Sequence, residues 1–314
     1  MIKDDFITII IPFLNEEENL PVLFSRCENL SKKINIEFEY IFIDDGSSDN
    51  SLNIVKNLIS TNDNIKFIQL SRNFGHQRAI TAGLNYCSGA AAVIIDADLQ
   101  DPPEEIENLV NKWKQGFDVI HAVRSKRKGE SSIKKIFAHA FYRIMSRITD
   151  IEMTEDAGDF RLIDRKAIDA LNAMPEQHRF MRGLASWIGF NQSYIEYIRE
   201  PRLTGKTKYP LIKSLSLALN AITSFSGTPL RIIFYLGNFL CFISISIAIY
   251  IFIIWNFVEQ KIPSHAGTTY LTLAIFFVSG LQMLCMGILS QYIRGVFDEI
   301  KNRPLYLIKE TNIK

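Results

Sequence analysis

The sequence has no surplus of charge of either sign: 35 Lys and Arg stand against 34 Asp and Glu. A nucleic-acid binder carries a basic footprint, so a partner of that class is not expected. Cysteine is scarce as well. Cys27, Cys87, Cys241 and Cys285 lack the spacing of a metal cage or a redox pair and read as packing residues. A secretory leader is not expected, because Asp4 and Asp5 precede the first apolar run and Pro12 interrupts it. The longest absences lie near the other end. No Asp, Glu, Lys or Arg occurs from Ile232 to Val258, nor from Ile262 to Ile293. A bilayer core takes about 20 such residues, so two transmembrane helices are predicted, the second spanning about Thr269 to Tyr292. Lys261 is the one basic residue between the runs, whereas Arg231, Arg294, Lys301 and Arg303 flank them. The positive-inside rule then places both termini and the N-terminal domain in the cytoplasm.

Before these runs, short apolar segments alternate with helical patterns. Phe6–Pro12, the segment beginning at Glu39, Ile65–Leu70, the run from Ala90 and Phe117–Val123 read as strands. Helices are predicted to open at Asn15–Glu18, at Ser48–Asp49 and near His76. Such alternation predicts an α/β domain with a mostly parallel, Rossmann-like sheet and ligands at the carboxyl ends of its strands. Asp44, Asp45, Asn73, Asp96 and Asp98 all fall at those ends.

The segment Ala90–Glu104 is the centre of this pattern. Side chains alternate along a strand, so Asp96 and Asp98 are expected on one face at its carboxyl end. Two carboxylates with the Gln100 carboxamide suit Mg²⁺ or Mn²⁺. The same acids could also merely cap and solubilise a turn, with Asp101 capping the helix that Pro102 and Pro103 begin. Glu155 to Leu162 reads as a short polar turn without specific meaning of its own. Arg199 to Tyr209 is a basic, glycine-containing loop able either to bind an anion or to stay solvated. Amphipathic helices are expected around Phe137–Met145 and Leu215–Ile222, lying in the headgroup plane.

These residues resemble the inverting family 2 glycosyltransferases of GT-A fold. Within them the chain is similar to the polyprenyl-phosphate enzymes, above all the bactoprenol (undecaprenyl-phosphate) glucosyltransferases; dolichyl-phosphate mannose synthase is a more distant likeness. The matching pieces are Pro12-Phe-Leu-Asn15-Glu16, Asp44-Asp45-Gly46-Ser47, Arg72-Asn73-Phe-Gly75, Asp96-Ala-Asp98-Leu-Gln100, Gly158-Asp159-Phe-Arg161-Leu, Arg202-x-x-Gly205-x-Thr207-Lys208-Tyr209 and Lys301-Asn-Arg-Pro-Leu-Tyr306. The resemblance implies a UDP-sugar donor, a polyprenyl phosphate acceptor and a homo-oligomer, by analogy a tetramer, in the bacterial inner membrane. Pro12, Asn15, Glu16, Asp44 and Asp45 would line the uridine pocket, near Asn73 and Gly75. Asp96, Asp98 and Gln100 would hold the metal. Asp159 would be the catalytic base or acceptor-orienting acid, and Arg161, Arg202, Thr207 and Lys208 would cradle the acceptor phosphate. His76 is expected only to start a helix. The implied domains are 1–209 (catalytic), 210–228 (interfacial helix), 229–293 (two-helix anchor) and 294–314 (cytoplasmic tail). Glucose leads among the sugars; galactose, an N-acetylhexosamine or 4-amino-4-deoxy-arabinose would leave the same motifs. A processive polysaccharide synthase is disfavoured, since no Gln-x-x-Arg-Trp motif occurs near Gln177.

Overall fold

The computed structural model describes residues 6–124, 157–177, 179–200 and 264–313, with scattered positions between 230 and 253. The chain divides into two units, one of Met1–Arg147, Ile151–Leu217 and Asn302–Lys314, the other of Ile148–Asp150 and Ala218–Lys301. The first unit is built on an eight-stranded sheet. Its strands are β1 (Ile7–Phe13), β2 (Phe38–Asp44), β3 (Ile65–Leu70), β4 (Ala91–Ile94), β5 (Val119–Arg124), β6 (Ala157–Asp164), β7 (Gln192–Tyr197) and β8 (Ile308–Thr311). They lie in the order β7-β5-β6-β4-β1-β2-β3-β8. The strands β1 to β5 and β7 share one direction; β6 and β8 run against their neighbours.

β1 and β2 are buried at every position, which is why they read as continuous apolar runs rather than alternating ones. The helices are α1 (Leu20–Ile34), α2 (Ser51–Ile59), α3 (His76–Tyr86), α4 (Ile106–Lys114), α5 (Arg165–Asn172) and α6 (Met181–Trp187). The strand order reverses between β1 and β4, and the carboxyl ends beside that point form the crevice where ligands of such sheets bind.

Several expectations shift. The first helix begins at Leu20, not near Asn15, because Asn15 takes a left-handed φ of 55° and residues 15–17 are tied to residues 47–51 instead. β4 stops at Ile94. Asp96 and Asp98 therefore sit in the turn beyond the strand, with Leu99 at φ 58°, and strand alternation does not account for their orientation. Asp101 caps nothing: it is fully buried, accepts a hydrogen bond from the Tyr197 hydroxyl and faces Arg199. The polar turn around Gly158 belongs to β6, inserted antiparallel between β4 and β5. Its charged residues hid it, since both its faces are covered and Asp159 and Arg161 are buried along with Phe160 and Leu162.

β8 is the last surprise. The expected tail returns to the sheet and pairs with β3. Asn312 brackets that strand, accepting from the Phe67 N–H at 2.8 Å and donating to the Ile65 carbonyl at 3.1 Å. Glu310 pairs with Lys56 at 2.7 Å.

In the second unit, Ser264–Ile300 is one continuous helix. Its segment Ala274–Ile300 contains an 18-residue stretch of mean hydropathy 1.6 without buried residues, and among the described residues it is the one helix long and apolar enough to cross a membrane. Of the first charge-free run, residues 233–240 and a few positions up to 253 are described, as helix; both amphipathic segments lie outside the described residues.

His121 on β5 gives the fold a pH dependence. It is 2% exposed and bonds to Gln192 at 2.9 Å. Burial and the charge of Arg161 push its pKa down to about 4. An unfolded histidine titrates near 6.5, so the fold accepts only the neutral ring. This contribution is complete above about pH 6.5 and is lost as pH falls toward 4, by about 3 kcal/mol in total. A pH series of melting temperatures in detergent should show a weaker acid dependence in His121→Leu than in the wild type. Superimposable profiles would contradict it.

Candidate active site

Three turns meet at the carboxyl edge of β1, β2 and β3. Asp45 turns inward: one oxygen accepts from the Phe74 N–H at 2.7 Å, and the other accepts from the Gly75 N–H at 3.1 Å. Burial raises its pKa, against the pull of those backbone donors. Asp45 therefore shapes the Asn73–Gly75 turn rather than presenting a free carboxylate. Asp44 Oδ1 accepts from the Ser47 N–H at 2.8 Å, while its Oδ2 is buried and accepts no hydrogen bond among the described residues. Gly46 permits this approach, since at φ +82° a Cβ there would stand 2.8 Å from the Asn73 nitrogen. Asn15 completes the wall, accepting from the Ser48 N–H at 2.8 Å, and Glu16 accepts from the Asn19 side chain at 2.7 Å. Pro12 lies buried in β1, opposite Ile43. Asn73 is exposed on its turn.

A second group gathers between β4, β6 and the start of α3. His76 Nε2 lies 3.3 Å from Asp96 Oδ1 and 3.3 Å from Asp159 Oδ2. Burial alone would lower the His76 pKa, but the two carboxylates outweigh it and raise it to about 9. His76 is thus a cation at neutral pH, more than the helix start its sequence context suggests. Asp96 is pushed up to about 6 by burial and by the nearby acids Asp101, Asp159 and Asp98, against the pull of His76. Asp159 goes the other way. Burial works against its charge, yet Arg182 and His76 hold its carboxyl well below the usual range.

Arg182 grips Asp159 with Nε at 2.9 Å and Nη2 at 3.2 Å, and the Gln77 amide donates to Asp159 at 3.2 Å. Neither residue was marked by any motif; only the meeting of α3, β6 and α6 reveals them. Arg161, expected at the acceptor phosphate, lies instead in the core at 1% exposure. Its guanidinium donates to the Gly158 carbonyl at 2.8 Å and the Met181 carbonyl at 3.3 Å, and burial pushes its pKa down to about 10. Arg202, Thr207 and Lys208 lie outside the described residues.

Among the described residues no three His, Cys, Asp or Glu side chains form a ready metal cage. The donors around residues 96–100 fit a hard cation all the same. Asp96 Oδ1 is buried without a hydrogen bond among the described residues, although His76 Nε2 stands 3.3 Å from it; Asp98 Oδ1 accepts from the Gln100 N–H at 3.2 Å, and all are oxygen ligands. An ion there would need further oxygens from water or a diphosphate, as Mg²⁺ sites usually do.

Residues 8–171 match the family described as glycosyl transferase family 2. An uncharacterised glycosyltransferase of Bacillus subtilis is 42% identical over 97% of this chain and 93% of its own length. A prophage-derived bactoprenol glucosyl transferase of Shigella flexneri is 35% identical over 98% of both chains. Among solved structures, mannosyl-3-phosphoglycerate synthase from Rubrobacter xylanophilus superposes with a TM-score of 0.50 at 11% identity, covering 69% of this chain and 71% of that one. That last likeness concerns the fold alone. The chain belongs to glycosyl transferase family 2, and its catalytic unit has the GT-A architecture.

Proposed function

We propose that this family 2 glycosyltransferase moves a hexose, glucose first among candidates, from a UDP-sugar to undecaprenyl phosphate with inversion at the anomeric carbon. The observation that carries the reading is the pairing of two features. The acidic turn at Asp96–Gln100 adjoins His76, which gathers with Arg182 on Asp159 of β6, and relatives similar over nearly the whole chain bear the name bactoprenol glucosyl transferase.

In this reading Asp44, Asp45 and the Asn15–Glu16 turn form the nucleoside wall, with the free Asp44 Oδ2 available to a base N–H. Asp96, Asp98 and Gln100 would hold Mg²⁺ or Mn²⁺. When bound, that ion neutralises charge developing on the departing diphosphate. The acceptor oxygen needs little help to lose a proton, because a phosphate monoester with a second pKa near 6 is mostly dianionic at neutral pH. Asp159, already ionised and surrounded by donors, then acts by orientation rather than by taking a proton. Arg202, Thr207 and Lys208 remain the proposed phosphate cradle. The lipid acceptor places the enzyme at the cytoplasmic face of a bacterial inner membrane, with residues 229–293 as the anchor and a homo-oligomer as the working form.

Full-length protein in detergent, undecaprenyl phosphate and labelled UDP-glucose provide the test. Label should enter the organic phase with Mg²⁺ or Mn²⁺ and stay in water once a chelator is added. UDP binding without a lipid product from any nucleotide sugar would overturn the acceptor assignment.

A further inference from the structure

We propose that Gln77 and Arg182 are positioning residues for sugar transfer, acting together through Asp159. The inference rests on the proposed function and adds to it two residues that no motif marks. Its basis is a clamp with parts from three elements. Gln77 is the second residue of α3, Asp159 lies near the start of β6 and Arg182 is the second residue of α6.

The Gln77 amide is used at both ends. Its Nε2 donates to Asp159 Oδ2 at 3.2 Å and its Oε1 accepts from the Met181 N–H at 3.0 Å. That fixes which way the amide points and ties the first turn of α3 to the first turn of α6 across the carboxylate. Arg182 approaches as a fork, one nitrogen to each Asp159 oxygen, a geometry that a lysine ammonium cannot reproduce. Arg161 stands behind, 3.7 Å from Asp159 Oδ1.

Asp159 thus has both oxygens engaged and a single orientation, facing His76 and, beyond it, Asp96. A substrate between the acidic turn and β6 meets a wall that needs no rearrangement during reaction. A displacement of about 1 Å at such a wall can cost about a hundredfold in rate. The clamp touches the chemistry only through Asp159, so its loss should appear in kcat and leave donor affinity nearly intact.

The test compares Arg182→Ala, Arg182→Lys and Gln77→Leu with wild type in full-length protein. The readouts are kcat, KM for UDP-glucose, UDP affinity and UDP release into water without lipid. Arg182→Ala should lower kcat about 100-fold and Gln77→Leu about 10-fold, with donor KM and UDP affinity within about threefold of wild type. Arg182→Lys should recover only part of the loss. Millimolar guanidinium should restore activity to Arg182→Ala in a saturable way, whereas equal sodium chloride should not; a merely structural arginine would give no such rescue. Wild-type kcat in both Arg182→Ala and Gln77→Leu would overturn the clamp. So would a loss of UDP affinity parallel to the loss of kcat. If wild type transfers nothing to lipid, the acceptor assignment fails, and UDP release into water then decides the clamp by the same ratios.

Discussion

Replacing Asp98 with alanine should lower sugar transfer at least a thousandfold and leave the melting temperature within about 2 °C of wild type. The side chain sits in a partly exposed turn beyond β4, so its removal opens no core cavity. What it removes is an oxygen that would hold the cation, and with it positive charge at the place where a diphosphate would gather negative charge on leaving. Loss of a bound cation removes several kcal/mol of stabilisation of the leaving group, each 1.4 kcal/mol being about tenfold. Asp96→Ala should match it in rate while also freeing His76 from one of its two carboxylates. The check is organic-phase label from UDP-glucose at saturating Mn²⁺, beside a melting curve of each variant. Rates near wild type in both variants would remove these residues from the cation site.

Asp159→Asn should show the reverse signature, a large loss of stability with measurable residual turnover. The carboxylate is 6% exposed and receives Arg182, Gln77 and His76, with Arg161 at 3.7 Å. A neutral amide in its place leaves buried Arg161 and half-buried Arg182 without their counter-charge and turns an NH₂ group toward donors. Breaking a buried pair by removing one partner costs about 3 to 5 kcal/mol, which lowers the melting temperature by roughly 10 °C for a domain of this size. Turnover survives because the acceptor phosphate is already ionised near neutral pH. Complete loss of transfer in a variant that still binds UDP and melts like wild type would make Asp159 a true base instead.

The contrast between these variants follows what the sequence could and could not reveal. The first five strands were legible because a parallel strand covered on both faces is a run of Ile, Val and Phe with few competitors. β6 was not, since Asp159 and Arg161 neutralise one another inside the sheet and imitate a loop on paper. Arg161 and His76 exchanged weight for the same reason. An arginine in a motif suggests a ligand, yet here the Gly158 and Met181 carbonyls claim it, while a histidine expected only to start a helix lies between two acids that are 63 residues apart in sequence (159 − 96). Asp45 shows a subtler limit. Its motif locates the turn correctly, but only coordinates reveal that its oxygens hold backbone N–H groups.

β8 has a consequence for topology. Its four residues are paired into the same sheet as β1, so everything from residue 308 onward shares a compartment with the catalytic strands. A thread that leaves a cloth and is sewn back into the same face must pierce it an even number of times. If Ser264–Ile300 is one stitch, a second is needed before the chain can rejoin the sheet at residue 308. Cutting the chain after Ile300 would therefore do more than shorten a tail. It would strip the hydrogen-bond partners from the outer edge of β3 and unfasten the end of the chain from the sheet on which its own sidedness depends.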